Sequence, residues 1–215
     1  MSSILSVSVA APDYNLLTAA ELRLAVGVGS ADTSQDATLT PIGLRVSAAI
    51  SRACNVATAA ASPATLRSET LSERFRLDAG RRTLILSRRP VTAITSIVEA
   101  GVTLTADDYE LDAAAGMIDR LSGDCVTCWA SGRTTVVYVA GWATVPDDLK
   151  LAATKLAQTY YATSGDYNPL LRSEEVPDVH KYTFNTPGAD GAGDGGALPA
   201  EVEALLEPYR MRWVG

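Results

Sequence analysis

The sequence predicts an α+β fold: mainly an α-helical bundle with an inserted antiparallel β-sheet or hairpins and a flexible C-terminal tail. Apolar residues recur at helical spacing in three segments, a pattern typical of helices with one buried face. These segments are residues 17–27, 38–55 and 146–164. Between the second and the third, residues 66–141 alternate polar and apolar side chains, which is typical of strands. The sheet is therefore expected as an insertion between helices.

The first two predicted helices have local signals at their starts. Thr18 is a good N-cap, and Glu21, three residues later, completes a capping box. Glycines at the end of this segment supply a natural stop. The second helix contains Pro41, which we expect in the first turn, since a proline further inside removes a backbone hydrogen bond.

The inserted segment and the third helix are also marked by local chemistry. Turn pairs such as Arg89-Pro90 and Ser131-Gly132 punctuate the alternating runs. Residues 134–139 are rich in β-branched side chains and predict a buried strand. Pro146 is well placed at the first position of the third helix, where a missing N–H is tolerated.

The C-terminal region divides into a linker and a tail. Residues 186–197 are glycine-rich with almost nothing to bury, and helical spacing resumes at Leu198. We therefore expect a domain over 1–185, a linker over 186–197 and a tail over 198–215. An isolated helix as short as the tail is marginal in water, so it must dock. It either packs back on its own domain or is captured in a partner's groove, and its residues leave both options open.

Composition limits the function classes. The 215 residues are 47% hydrophobic and 20% charged, an ordinary balance for a soluble protein. The formal charge of −7 argues against a protein that grips nucleic acid, because such domains carry basic patches. Three cysteines make no disulfide framework and suggest a reducing compartment. The longest apolar run, around 136–145, has about half the length of a membrane span, so no membrane partner is expected.

Few residues are candidates for catalysis or metal binding. Cys125 and Cys128 form a CxxC, but two cysteines cannot complete a zinc site, and the strand-to-helix context of a redox motif is missing. His180 is the single histidine and lies in a polar, extended segment. The carboxylates within 107–112 do not have the spacing of a calcium loop. We predict no catalytic residue, no cofactor and no metal. A small metal-dependent hydrolase using 107–112 and His180 is the remote alternative.

Four arginines bracket one short predicted strand. They are Arg81, Arg82, Arg88 and Arg89. Without interleaved aromatic residues they make a poor nucleic-acid surface. They could contact acidic groups of a neighbouring subunit, or form a solvated edge that discourages wrong strand pairing.

Six short stretches, taken in order, carry a family resemblance. They are SRRPVTAITSI at 87–97, DDYELD at 107–112, VVYVAGW at 136–142, VPDDLKLA at 145–152, RSEEVPDVHKYTF at 172–184 and LPAEVEALLEPYR at 198–210. They cover most of the chain from about residue 70 onward, and their shared order is more specific than any one of them. In this order the chain resembles the phage head–tail connector (adaptor) family, whose members also occur in gene transfer agents.

The resemblance implies a structural, non-enzymatic role. Such a chain would form a homo-oligomeric ring of twelve subunits in the virion neck, assembled in the cytoplasm of a bacterial host. One side of the ring would bind the portal protein, and the other a stopper or tail terminator protein. DNA would pass through the channel without specific binding, since acidic subunits give a negative wall. The alternative within the same setting is a neck stopper or tail-completion protein.

The resemblance also implies two sets of contact residues. The expected portal-binding positions are Leu205, Leu206, Tyr209 and Arg210, with Arg212 and Trp213 just beyond the matching stretch. The extended segment after the third helix is a candidate contact between subunits. Its expected contact residues are Arg172, Glu174, Val176, Val179, Tyr182 and Phe184.

Overall fold

Two antiparallel sheets, and not a helical bundle, form the larger part of the fold. The computed structural model describes residues 2–59, 62–78, 80–163, 173–176, 180–183 and 198–211. The strands are β1 (Ser2–Val9), β2 (Glu69–Leu77), β3 (Thr83–Ile85), β4 (Val91–Glu99), β5 (Val102–Thr103), β6 (Tyr109–Asp112), β7 (Met117–Ser122), β8 (Cys125–Thr127), β9 (Gly132–Ala140), β10 (Ser173–Val176) and β11 (His180–Thr183). The helices are α1 (Ala19–Ala25), α2 (Asp36–Ala53), α3 (Asp147–Ala162) and α4 (Ala200–Leu206).

The predicted fold class was wrong in describing the chain as mainly helical. The chain is about 33% strand and 31% helix, so the sheets are not a minor insertion into a bundle. One cause is β1, which no sequence signal predicted. Its residues SSILSVSV form a strand because they pair antiparallel with β2, from Ser2 opposite Arg76 to Val9 opposite Thr70. That partner lies more than sixty residues away, and a local reading of the sequence does not find it.

The β region is a two-layer sandwich. The large sheet has the order β1-β2-β9-β4-β5, and the small sheet has the order β3-β7-β6 with β8 added on β7. Side chains on the inward sides of both sheets meet in one apolar cluster, which is the arrangement of packed sheets. Its largest buried members include Phe75, Leu84, Ile97, Ile118, Trp129 and Tyr138.

The helices form a second lobe with its own apolar core. At the start of α1 the predicted capping box is confirmed: Thr18 accepts from the Glu21 N–H, and Glu21 accepts from the Thr18 N–H at 2.7 Å. The expectation for Pro41 was wrong, because α2 begins at Asp36 and the proline lies inside the helix. Pro41 is exposed and still near the helix start, so the lost hydrogen bond is confined to the first half of α2.

A buried ion pair joins the two lobes. Arg88, which precedes β4, is 3% exposed and donates to Glu69 at the start of β2, with Nη1 and Oε2 3.3 Å apart. The same guanidinium donates to the carbonyls of Ala57 and Thr65, at 2.6 and 2.8 Å, on the connection that leaves α2. Burial lowers the pKa of Arg88, and the Glu69 carboxylate opposes that shift. Arg88 is therefore neither a solvated edge residue nor a contact to a neighbouring subunit.

A second buried carboxylate, Glu73, fastens the connection between β3 and β4 to the large sheet. Glu73 of β2 accepts from the Tyr138 hydroxyl at 2.9 Å and from the Ser87 N–H at 3.0 Å. Burial, together with the charge of Glu73, raises the pKa of Tyr138, so the phenol stays protonated and donates. Both inward-facing acids of β2 thus have partners, as buried charge requires.

The chain returns from the sandwich to the helical lobe at Gly141. This glycine has φ +100°, and a Cβ built on it would lie 2.4 Å from the Arg67 carbonyl oxygen. The close approach is held by backbone bonds on either side of it. The Trp142 N–H donates to the Leu66 carbonyl at 2.8 Å, and the Gly141 N–H donates to the Pro90 carbonyl at 2.9 Å.

We expect Gly141→Ala to lower the free energy of unfolding by about 3 kcal/mol or more, since it adds a backbone clash to the strain of a positive φ. Gly101→Ala is the matched control, because Gly101 has φ +90° with no atom within 4 Å of its would-be Cβ. This control should cost about 1–2 kcal/mol. Denaturant unfolding of both variants measures the difference, and equal losses would contradict the close approach.

Candidate interaction surface

The C-terminal segment 198–211 packs against the chain's own helical lobe. In α4, Val202 is 1% and Leu206 0% exposed, and both belong to the apolar core of α1, α2 and α3. The Met211 N–H donates to the Cys54 carbonyl at 2.8 Å, just after α2 ends. Of the two options that the sequence left open, the structure shows the segment docked on its own domain.

Polar contacts around the segment are peripheral. Lys155 of α3 forms an ion pair with Glu201, whose side chain is 76% exposed. Arg210 lies 3.3 Å from Glu207 and 3.9 Å from Glu203. Exposed pairs of this kind contribute little to stability, because water and salt screen them. The burial of Val202, Leu206 and Met211 therefore dominates the docking.

An aromatic contact closes the end of the segment. The Tyr209 ring meets Trp142 edge to face, with ring centroids 6.1 Å apart. Burial and a hydrogen bond with Asp148, at the start of α3, raise the pKa of Tyr209. Tyr209 thus links the segment to both ends of the stretch that leads from β9 into α3.

The predicted portal-binding residues are not equivalent in the structure. Leu206 is completely buried in the helical core, whereas Leu205, Tyr209 and Arg210 are half-buried and retain some accessible surface. Arg212 and Trp213 lie outside the described residues. A partner can therefore reach Leu205, Tyr209 and Arg210 without moving α4, but not Leu206. Sequence reasoning missed Met211, although an apolar residue two positions after Tyr209 was a signal for continued burial.

The predicted contact segment between subunits contains a hairpin. Strand β10 pairs antiparallel with β11, from Ser173 opposite Thr183 to Val176 opposite His180. Glu174 and Tyr182 are register partners in it. The other predicted contact residues, Arg172, Val179 and Phe184, lie outside the described residues. The linker 186–197 does too, so the division into 1–185, 186–197 and 198–215 stays a prediction.

Two groups of candidate chemical residues can be placed in the structure, the CxxC pair and the carboxylates of 107–112. Cys125 and Cys128 are exposed and unpaired. Asp108 caps the turn that begins at Thr105, and this hydrogen bond, with Arg120 nearby, lowers its pKa. Over the described part of the chain, no group of three or more histidines, cysteines or carboxylates is arranged to hold a metal. No helix in the same part is both long and apolar enough to cross a membrane.

Cys54 differs from the other two thiols. It is 0% exposed, its carbonyl accepts from the Met211 N–H, and the charged Arg210 is nearby. Burial raises the pKa of the Cys54 thiol to about 11, so the reactive thiolate is scarce at neutral pH. Its reactivity therefore reports whether the segment 198–211 stays docked.

Comparison with known proteins identifies one sequence family. The model of the head completion protein family matches residues 15–170, which run from before α1 to beyond α3 and include every strand of the sandwich except β1. Among functionally curated proteins, none matches the sequence.

Solved structures resemble the chain over nearly its whole length. A chain in the neck of an empty gene transfer agent (GTA) particle, computed with C6 symmetry, has a TM-score of 0.60 at 24% identity, with 99% of this chain and 98% of that chain covered. A chain in the neck of a native GTA particle, computed with C12 symmetry, has a TM-score of 0.58 at 24% identity, with the same coverage. A chain in the virion of a native GTA particle has a TM-score of 0.58 at 25% identity, with 98% and 97% covered.

We expect Cys54, measured in a C125S/C128S background, to react with a thiol reagent at least about tenfold more slowly than the exposed Cys125 and Cys128 of the unchanged chain. Leu206→Ala removes a buried side chain and should cost about 2–5 kcal/mol, so labelling of Cys54 should accelerate as the segment opens. Ala204→Ser, at an exposed position of α4, is the control and should leave the rate unchanged. Fast labelling of Cys54 in the intact chain would contradict the docked segment.

Proposed function

Because the chain belongs to the head completion protein family, we propose that it is a subunit of a ring-shaped head–tail connector. The family is structural, so the chain is not an enzyme, and the expected absence of a catalytic role agrees with the family. The observation that carries the proposal is the family match over 15–170. The likeness of fold to neck proteins of GTA particles extends over the rest of the chain. The chain is accordingly a protein of the virion neck.

We propose twelve subunits in the ring. The related neck structures, computed with C12 and C6 symmetry, support a ring whose subunit number is a multiple of six. DNA would pass through the centre. The formal charge of −7 favours a channel wall that repels DNA, which would let the duplex slide without specific binding.

The proposed partners are a portal protein on one side and a stopper or tail terminator protein on the other. Contact with the portal is assigned to Leu205, Tyr209, Arg210, Arg212 and Trp213. The half-buried positions of the first three support this assignment, since each keeps accessible surface on the docked segment. Leu206 can contact the portal only if α4 leaves the helical core, because the Leu206 side chain is 0% exposed in the docked segment.

Contact between neighbouring subunits is assigned in part to the hairpin β10–β11 and its flanks. The proposed residues are Arg172, Glu174, Val176, Val179, Tyr182 and Phe184. A two-stranded hairpin is marginal on its own in water, so a hairpin of this size gains stability from a partner surface.

The test is the mass of the purified chain, alone and mixed with its portal protein. The full-length chain should join the portal as a multi-subunit ring. A chain truncated after Met211 keeps every described core residue but loses Arg212 and Trp213, and its affinity for the portal should fall about 30-fold or more if these are interface hot spots. Arg45→Ala, an exposed change on α2, should bind like the full-length chain.

Truncation after Ala197 answers a different question. It removes Val202, Leu206 and Met211 from the helical core and should destabilise the fold itself. A full-length chain that stays monomeric beside the portal contradicts the connector proposal. Binding to a tail protein in its place would then identify a stopper or tail-completion protein.

A further inference from the structure

The outward side of the large sheet carries positive charge and no negative charge. Arg74 and Arg76 of β2 and Arg133 of β9 alternate with buried neighbours and point away from the sandwich core. We call these three residues the arginine face. The only carboxylates in the five strands are Glu69, Glu73 and Glu99, and all three are buried on the inward side. A chain with a formal charge of −7 thus has only arginines among the charged residues on the outward side of these five strands.

The arginine face lacks a counter-charge among the described residues. Arg76 lies directly opposite Arg133 in the antiparallel register, and Arg74 lies opposite Thr135. Like charges in directly opposed positions destabilise a strand pair. None of the three arginines forms an ion pair with a described residue. An anionic surface from outside the chain would remove this repulsion.

The same face has an open groove suited to a protein surface. The groove has a volume of about 470 Å³, and Arg74 and Arg133 line it together with Ile4, Ser72, Val98 and Thr135. Ile4, on the edge strand β1, is 59% exposed. Apolar and hydroxyl side chains between charged ones are typical of a surface that packs as well as attracts.

The small sheet has the opposite charge on its outward side. Glu110 and Asp112 of β6 alternate with the inward Tyr109 and Leu111, and Asp119 of β7 lies opposite Glu110. We call Glu110, Asp112 and Asp119 the acidic face. Two carboxylates are again directly opposed, so this face also repels itself.

None of these three carboxylates forms an ion pair with a residue in the described part of the chain. The only cation in the strands of the small sheet is Arg120, which points inward. It pairs with Glu99 of the large sheet, with Nε and Oε2 2.9 Å apart, and lies over the Trp129 ring. Val126 of the adjacent β8, 47% exposed, adds apolar surface next to the acidic face.

We propose that the arginine face of one subunit docks on the acidic face of the next copy of this chain in the ring. The two faces lie on opposite sides of one sandwich, so a chain cannot join them to each other. Copies can join them head to tail, and head-to-tail contacts generate closed rings when the rotation closes. This inference rests on the proposed ring and names the surfaces that build it.

A second copy fits the arginine face better than nucleic acid does. Three arginines without a stacking aromatic make a weak nucleic-acid surface, and the acidic remainder of the chain would repel a duplex. The acidic face, in contrast, has the matching number of charges and is present in every copy.

The experiment reverses each face separately. One variant carries R74E and R133E, and the other carries E110R and D119R. Each should raise the concentration at which rings form with the portal by at least about tenfold, because like charges then meet at the contact. The control R45E/R52E makes the same charge change as R74E/R133E at exposed positions of α2, outside both faces, and should assemble like the wild type. Thermal unfolding checks each fold, and E110R alone replaces the second variant if D119R unfolds it.

Mixing the two reversed variants gives the sharpest outcome. One has two negative faces and the other two positive faces, so they should alternate in a mixed ring although neither assembles alone. Recovery of rings in the mixture, or in the chain that carries all four substitutions, supports the docking. Unchanged ring assembly of the single-face variants overturns the proposal. It is also overturned if these variants form rings normally and lose only the retention of duplex DNA. A wild-type chain that forms no ring with its portal overturns the proposed function as well.

Discussion

The ion pair between Arg88 and Glu69 is the constraint on which the arrangement of the two lobes depends. It lies where the connection from α2, the start of β2 and the start of β4 come together. Because both side chains are almost fully buried, removing either partner would leave an uncompensated charge, which typically costs about 3–5 kcal/mol. The helical lobe is thereby held against one end of the sandwich, and Gly141 provides the close backbone crossing beside it.

The helical lobe is completed by a segment from the far end of the chain. The helices α1, α2 and α3 share their apolar core with Val202, Leu206 and Met211, so the lobe is closed only when the segment 198–211 is in place. This links stability to assembly, because the residues proposed for portal contact lie on an element that also fills the core. In the proposed connector, the outer side of the segment would face the partner while the inner side keeps the subunit folded.

In the large sheet, acidic and basic side chains point to opposite sides, because successive residues of a strand alternate between the two sides. Carboxylates in the large sheet point inward to defined partners such as Tyr138 and Arg120, whereas its arginines point outward and form no ion pair with a described residue. Successive side chains of a strand point to opposite sides of the sheet. Neighbours such as Glu73 and Arg74 therefore differ, one buried in the sandwich and the other exposed on its outward side. The run that carries them was read as a strand in the sequence, but the cross-strand neighbours of each charge were not visible there.

The sequence by itself determined the local elements and the family setting. Helix α1 with its capping box, the core of α2 and α3, the buried strand β9 and the helical character of α4 all follow from contacts within a few residues, which local spacing encodes. The tertiary structure alone decided the strand β1, the balance of sheet over helix, the docking of α4 and the burial of Arg88. Each of these depends on contacts between segments that are tens of residues apart, and local spacing does not identify the partner segment.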